Sequence, residues 1–209
     1  MSHISSIKLT KGFTLVELIV SIAIMGIILT TVVSSQTNYT SGSALRQIAD
    51  DISLSLRQAQ VYGISVSQLS PGNFDIGYGI EFRMESAGGS DGAYILFADK
   101  SPYNYVFDGS WANCDNECLQ KTTLTRGNKI KKLCAIFPDD TESCNITNAY
   151  VSFLRPNTDA HISLYDSGNN LINGVKGVRI NLVSPTIEYK SVVVYTTGQI
   201  SVKDKLPND

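Results

Sequence analysis

The pattern of apolar and polar positions changes twice along the chain. Residues 1–12 are polar and carry no periodicity, and from Phe13 to Val33 the side chains are almost all apolar, with one acid, Glu17. After Glu17 no charge appears until Arg46. A helix rises ~1.5 Å per residue and a bilayer core is ~30 Å thick, so this run predicts a helix long enough to cross a membrane. From Ala44 the apolar positions Leu45, Ile48, Ala49, Ile52, Leu56 and Ala59 recur at spacings of three and four. Arg46, Asp50, Asp51 and Arg57 take the other faces. That is an amphipathic helix whose apolar stripe needs a sheet to lie on. It is expected to end near Tyr62-Gly63, with the glycine supplying a C-cap.

Beyond the helix the period falls to two. Tyr78 to Met84 alternates, with Ile80, Phe82 and Met84 on one face. A turn over Ala87–Gly92 leads to a second strand, Ala93–Ala98, and Tyr103–Phe107 is read as a short third. Leu119–Leu124 and Ile130–Phe137 read as a hairpin around Arg126-Gly127-Asn128, and Ala149–Leu154 with Ala160–Tyr165 as another around Arg155-Pro156-Asn157. Gly177–Val183, Ile187–Tyr195 and Gln199–Val202 close the series, before a frayed C-terminal tail. The expected class is α+β: a long N-terminal helix, half membrane-spanning and half amphipathic, packed on an antiparallel sheet or sandwich. The organisation read from these changes is a leader at 1–12, a membrane and assembly helix at 13–43, and an extracytoplasmic domain at 44–209. Within the last, 44–62 completes the helix and 63–203 is strand-rich.

Glu17 does not fit a plain anchor. An ionised group near the bilayer costs at least ~3 kcal/mol on insertion scales and usually has a partner. Nothing C-terminal of it within helical reach is cationic, and Lys11 on the other side would snorkel to the headgroups. One reading leaves Glu17 solvated at the interface; the sharper one brings its partner from outside the subunit. A secretory signal peptide is a poor rival, because the apolar run is too long and only Val33-Ser34-Ser35 offers a weak conventional cut.

Gly12, Phe13, Thr14, Leu15, Val16, Glu17 and Leu18 resemble the cleavage and methylation site of type IV prepilins and pseudopilins. The resemblance implies that a membrane peptidase cuts after Gly12 and methylates the new N-terminus at Phe13. It also implies that Glu17 pairs with the N-terminal amine of a neighbouring subunit during assembly. Further along, Leu56-Arg57-Gln58-Ala59-Gln60, the strand-rich order and Ser152-Phe153-Leu154-Arg155-Pro156 are similar to the GspH/FimT-like minor pilins and pseudopilins. The expected partners are other pilin or pseudopilin subunits, the prepilin peptidase, the inner-membrane assembly platform and the membrane itself. Before assembly the chain is expected to be a single-pass inner-membrane protein, and afterwards part of a periplasmic or extracellular filament.

Charge and cysteines agree with that placement. The chain of 209 residues has a formal charge of −2, and Lys8 and Lys11 precede the apolar run with no acid beside them. The positive-inside rule therefore keeps the leader cytoplasmic and sends the rest across. Cys114, Cys118, Cys134 and Cys144 are an even, clustered set, which outside the cytoplasm reads as two disulfides with three possible connectivities. A zinc framework would want C-x2-C pairs or histidines, and His161 is the only histidine after the leader.

Catalytic signatures are missing: the chain has no G-x-S-x-G, no H-E-x-x-H and no P-loop. A structural subunit, not an enzyme, is the expectation, with no cofactor and no metal. Asp139, Asp140 and Glu142 could be imagined around calcium, but a solvated acidic turn is the simpler reading. His161 reads as a strand-surface residue. Lys129, Lys131 and Lys132 crowd the second predicted hairpin, with Lys129 and Lys131 on one face and Lys132 on the other. Some FimT-like pilins bind DNA through basic residues near the C-terminus, a pattern this chain lacks. The alternative function is thus a filament-displayed DNA- or surface-binding pilin using these lysines, against a solvated, lysine-protected edge.

Overall fold

The computed structural model describes residues 12–65, 76–100 and 103–204, with 33–41 described by backbone alone. The leader with Lys8 and Lys11, and the frayed tail beyond Asp204, lie outside the described residues. The chain divides into two units, Met1–Thr40 and Ser41–Asp209.

Helix α1 runs Leu15–Ile64 and enters both units. In the first unit every residue from Gly12 to Val32 is exposed. In the second, Leu45, Ile48, Ala49, Ile52, Leu56 and Ala59 are all buried in the main core, which is the stripe that the spacing predicts. Gly63 is not a cap. It lies inside the helix and is buried, and a Cβ there would collide with the Phe153 carbonyl. The glycine lets the helix approach the sheet backbone.

Ten strands follow among the described residues: β1 (Gly77–Arg83), β2 (Ala93–Asp99), β3 (Cys118–Thr123), β4 (Lys129–Ile136), β5 (Glu142–Phe153), β6 (Ala160–Asp166), β7 (Leu171–Ile172), β8 (Gly177–Val183), β9 (Tyr189–Tyr195) and β10 (Ile200–Lys203). They form one antiparallel sheet in the order β10-β9-β8-β4-β5-β1-β2-β3, with β6 added to β5 and β7 to β6. The 12-residue β5 is the junction. Its first half pairs with β4, and its second half pairs with both β1 and β6. The fold is α+β, with a continuous sheet where a two-layer sandwich was the other option.

Two predicted features are absent. Strands β3 and β4 exist but are not a hairpin: β3 pairs with β2, whereas β4 lies between β8 and β5. The Leu124 N–H donates to the Gly92 carbonyl and the Ile130 N–H to that of Asp91, so the chain is pinned to the β1–β2 turn while it crosses over. Arg126 and Gly127, both at positive φ, make the bend. A local Arg-Gly-Asn signal reports a reversal of direction but cannot report which strand the chain joins next.

Nor is Tyr103–Phe107 a strand. The Asp99 carboxylate takes the backbone N–H groups of Asn104 (3.3 Å) and Tyr105 (2.9 Å). Glu117 takes those of Lys100 (2.6 Å) and Asp108 (2.7 Å). Carboxylates replace a strand ladder here, and the resulting loop carries Phe107 and Trp111 over Ala93, Ile95, Phe97 and Tyr150. The β1–β2–β5 region thus has a second apolar cluster on the face away from α1.

Candidate functional site

Leu15–Val32 is a helix long and apolar enough to cross a membrane, and none of it is buried within the chain. Besides Glu17 its polar side chains are Ser21, Thr30 and Thr31. Each hydroxyl donates to its own helix: Ser21 to the Glu17 carbonyl at 2.7 Å, Thr30 to Ile27 and Thr31 to Ile28 at 2.8 Å. Lipid offers no hydrogen bonds, so these back-bonds let the hydroxyls sit in it without an orphan donor. Thr14 starts the helix, its hydroxyl accepting from the Glu17 N–H at 3.3 Å. Glu17 stands in the first turn, where a carboxylate favours the helix dipole. No described cation pairs with it. Among the described residues, Glu17 is therefore the one polar side chain of the span without a side-chain hydrogen bond.

The cysteines form Cys114–Cys118 and Cys134–Cys144. The first staples the loop over the second apolar cluster; the second joins β4 to β5 across a register shift. The sulfurs of Cys134 and Cys144 lie near a Glu142 oxygen, but they are bonded to each other and are no thiolate ligands. Glu142 is held by Arg179, whose Nη2 and Nε donate to it at 2.7–3.2 Å. Asp140 pairs with Lys176 at 2.7 Å. Asp139 accepts from the Thr141 hydroxyl at 2.7 Å, and this bond holds its carboxyl below the usual range. The three acids of this turn face three different partners. His161 is exposed on β6, its ring stacked 4.0 Å from that of Tyr105.

The lysines depart from the predicted alternation. Ile130 and Leu133 both enter the main core, three residues apart, because the β4–β8 register shifts between Ile130 and Lys132. Lys132 then lies opposite Asn181, whose neighbours Ile180 and Leu182 are core residues. The shift turns Lys132 away from α1, to the face it shares with Lys129, while Lys131 sits at the bulge. Lys129 and Lys131 are exposed, and the Lys131 ammonium lies 4.3 Å above the Tyr189 ring.

A buried polar group escaped the sequence reading. Glu81 on β1 is fully buried and bonded to Arg83 at 2.6 Å. Arg83 also donates to the Tyr150 hydroxyl at 3.3 Å and lies 5.6 Å above the Trp111 ring. Burial pushes the Glu81 carboxyl up to about 7 against the pull of Arg83, and pushes the Tyr150 hydroxyl up to about 12. Alternation along β1 puts Glu81 and Arg83 opposite Ile80 and Phe82, which reads as solvent-facing. The signal that both faces are covered was in β2, whose Ala93–Ala98 run is uninterrupted and apolar.

Residues 7–33 match the sequence model of the prokaryotic N-terminal methylation motif. No curated protein and no solved structure matches the chain. With its exposed apolar helix and the acid at Glu17, the chain carries the prokaryotic N-terminal methylation motif, which supports its resemblance to type IV prepilins and pseudopilins.

Proposed function

We propose that this chain is a minor pilin or pseudopilin. It is a structural subunit of a type IV pilus-like filament, or of the pseudopilus of a type II secretion or competence system, and has no enzymatic role. Prepilin peptidase removes residues 1–12, cutting between Gly12 and Phe13, and the new N-terminus is methylated. The subunit waits as a single-pass inner-membrane protein with residues 44–209 on the extracytoplasmic side. The assembly platform then draws it into the filament, where residues 13–43 pack against neighbouring helices.

The observation that carries this reading is Glu17, with which no described cation pairs, in a span whose other polar side chains bond to their own helix. Burying a carboxylate in lipid is costly unless it is paired, so a neighbour's N-terminal amine gives the subunit a reason to leave the membrane in register. Mass spectrometry of the mature protein is expected to find a methylated Phe13 at the N-terminus; any other start contradicts the reading. Glu17→Ala is expected to leave cleavage intact and to reduce incorporation into filaments at least ~10-fold, since unpaired charge in lipid is what the pairing relieves.

A second reading, a filament-displayed DNA- or surface-binding pilin, draws support from the register shift that brings Lys129 and Lys132 to one face. DNA affinity would then fall steeply with salt and with Lys129/Lys131/Lys132→Ala. Unchanged binding in the triple variant would dismiss it.

A further inference from the structure

One end of the second unit gathers an exposed apolar tip, a set of cations and the point where the helix enters. The β8–β9 turn is built by Ser184, whose hydroxyl accepts from the Glu188 N–H at 3.0 Å and whose carbonyl accepts from that of Ile187 at 3.0 Å. This holds Ile187 at φ 63 with 71% of its surface exposed. A β-branched residue is disfavoured in that conformation, and no described residue covers the side chain. Pro185 stands beside it and touches the β3–β4 turn: a Cβ on Gly127 would lie 3.2 Å from the proline ring. That turn brings Arg126, exposed at φ 57, and Lys129, opposite Val183 at the end of β8. Lys131 lies close by on Tyr189, the first residue of β9. Glu188 is the acid of the β8–β9 turn, and its carboxylate occupies the space where a Cβ of Gly42 would go; Asp91 lies on the other side, its carbonyl accepting from the Ile130 N–H. The turn therefore abuts α1 at its entry into the unit, ten residues after the apolar span ends at Val32.

The geometry points to a membrane-docking tip: Pro185 and Ile187 enter the headgroup region of the anchoring bilayer, and Arg126, Lys129 and Lys131 meet anionic phospholipid phosphates. The inference rests on the reading of Leu15–Val32 as a membrane span. An apolar body with a basic rim is the composition that binds interfaces, and each part alone is weak. The short connection to the span supplies what a small patch lacks, because a tether of this length holds the tip near the surface at an effective concentration of roughly millimolar order. Nucleic acid offers the same phosphates, but a phosphate backbone has no use for an exposed isoleucine and proline. A docked tip would keep an unassembled subunit lying on its membrane, and extraction into a filament would release it.

Hydrogen exchange on the full-length protein, one copy per lipid nanodisc, tests this. Discs of phosphatidylcholine are compared with discs containing a third of phosphatidylglycerol. Backbone exchange of Thr125–Lys129 and Ser184–Glu188 is expected to slow about threefold or more in the anionic discs only. The slowing should vanish in Ile187→Asp, shrink in Arg126→Gln/Lys129→Gln/Lys131→Gln, and weaken in high salt. Unchanged Trp111 fluorescence shows that each variant is folded. Equal exchange in both lipids overturns the docking. So does protection that appears only with several copies per disc, which assigns the tip to a second subunit, or only with added duplex DNA. Failure of the apolar segment to insert in either disc removes the membrane reading and this inference with it. Insertion without lipid dependence removes the docking alone.

Discussion

At the scale of single residues, Glu81 has the clearest consequence. Its carboxyl titrates near 7 in the folded chain against an ordinary 4.5, because burial opposes ionisation more than Arg83 favours it. Between those values the folded state binds a proton that the unfolded state does not, so Glu81 adds stability as pH falls from above 7 toward 4.5. Asp99 and Glu117 are raised by burial and act in the same direction; the exposed Asp139 and Asp166, lowered by hydrogen bonds, act in the opposite one. Glu81→Gln isolates the first contribution. Its denaturant midpoint relative to the parent chain is expected to be higher at pH 8 than at pH 5.5, with a difference of about 1–3 kcal/mol between the two pH values. A parallel pH dependence in the two proteins would remove Glu81 from the account. The ion pairs also rank by burial. Arg179→Ala leaves the largely buried Glu142 carboxylate without its partner and is expected to cost about 2–4 kcal/mol in urea denaturation. Lys176→Ala, in an exposed and solvent-screened pair, should leave the urea midpoint almost unchanged.

At the scale of elements, what was legible depended on whether the signal was local. The amphipathic stripe of α1 is a property of one helix face, and each predicted position is in the core. Truncating Leu56 or Ile52 to Ala is thus expected to cost about 2–5 kcal/mol of stability, measured by denaturant unfolding, whereas Leu54→Ala on the exposed face should cost almost nothing. Most strands were legible from their period, though β7 and the first half of β5 were not, and the turns at β1–β2 and β5–β6 were legible because each joins two neighbours. The β3–β4 crossover was not legible, since the bonds that redirect it come from Asp91 and Gly92, far back in the sequence. Lys132 was misplaced for a similar reason: a bulge needs a partner strand to exist. The cover over Glu81 was hidden because irregular loops advertise no period, though Trp111 and two cysteines within it hinted at order. Replacing Cys114 and Cys118 by serine is expected to loosen that cover first. The single tryptophan, Trp111, then reports it as a red-shifted, quenchable emission at denaturant concentrations where far-UV circular dichroism is still native.

At the scale of the whole molecule, the chain separates an exposed apolar segment from a unit that has its own core. The motif at residues 7–33 was the strongest signal in the sequence, and it speaks only for the first unit. Both apolar clusters consist of residues from Leu45 onward, and neither draws on Gly12–Val32. The second unit also contains both disulfides and every paired strand. A fragment comprising residues 41–209 therefore keeps every residue of both described clusters, and it sheds the span that would make the chain aggregate in water. Expressed under oxidising conditions, it is expected to be soluble and to unfold in one cooperative transition by both circular dichroism and Trp111 fluorescence. Cutting further, to begin at Arg57, removes Leu45, Ile48, Ala49, Ile52 and Leu56 and leaves the inner face of the sheet bare. Losing several buried side chains at about 1.5–3 kcal/mol each is comparable to the ~5–15 kcal/mol of a typical domain, so the shorter fragment should not fold. If residues 41–209 melt without cooperativity while the full chain in detergent does not, the membrane segment has a structural role in the second unit that its exposure does not reveal. If both fragments fold, the helix stripe is dispensable and the sheet is stabilised some other way.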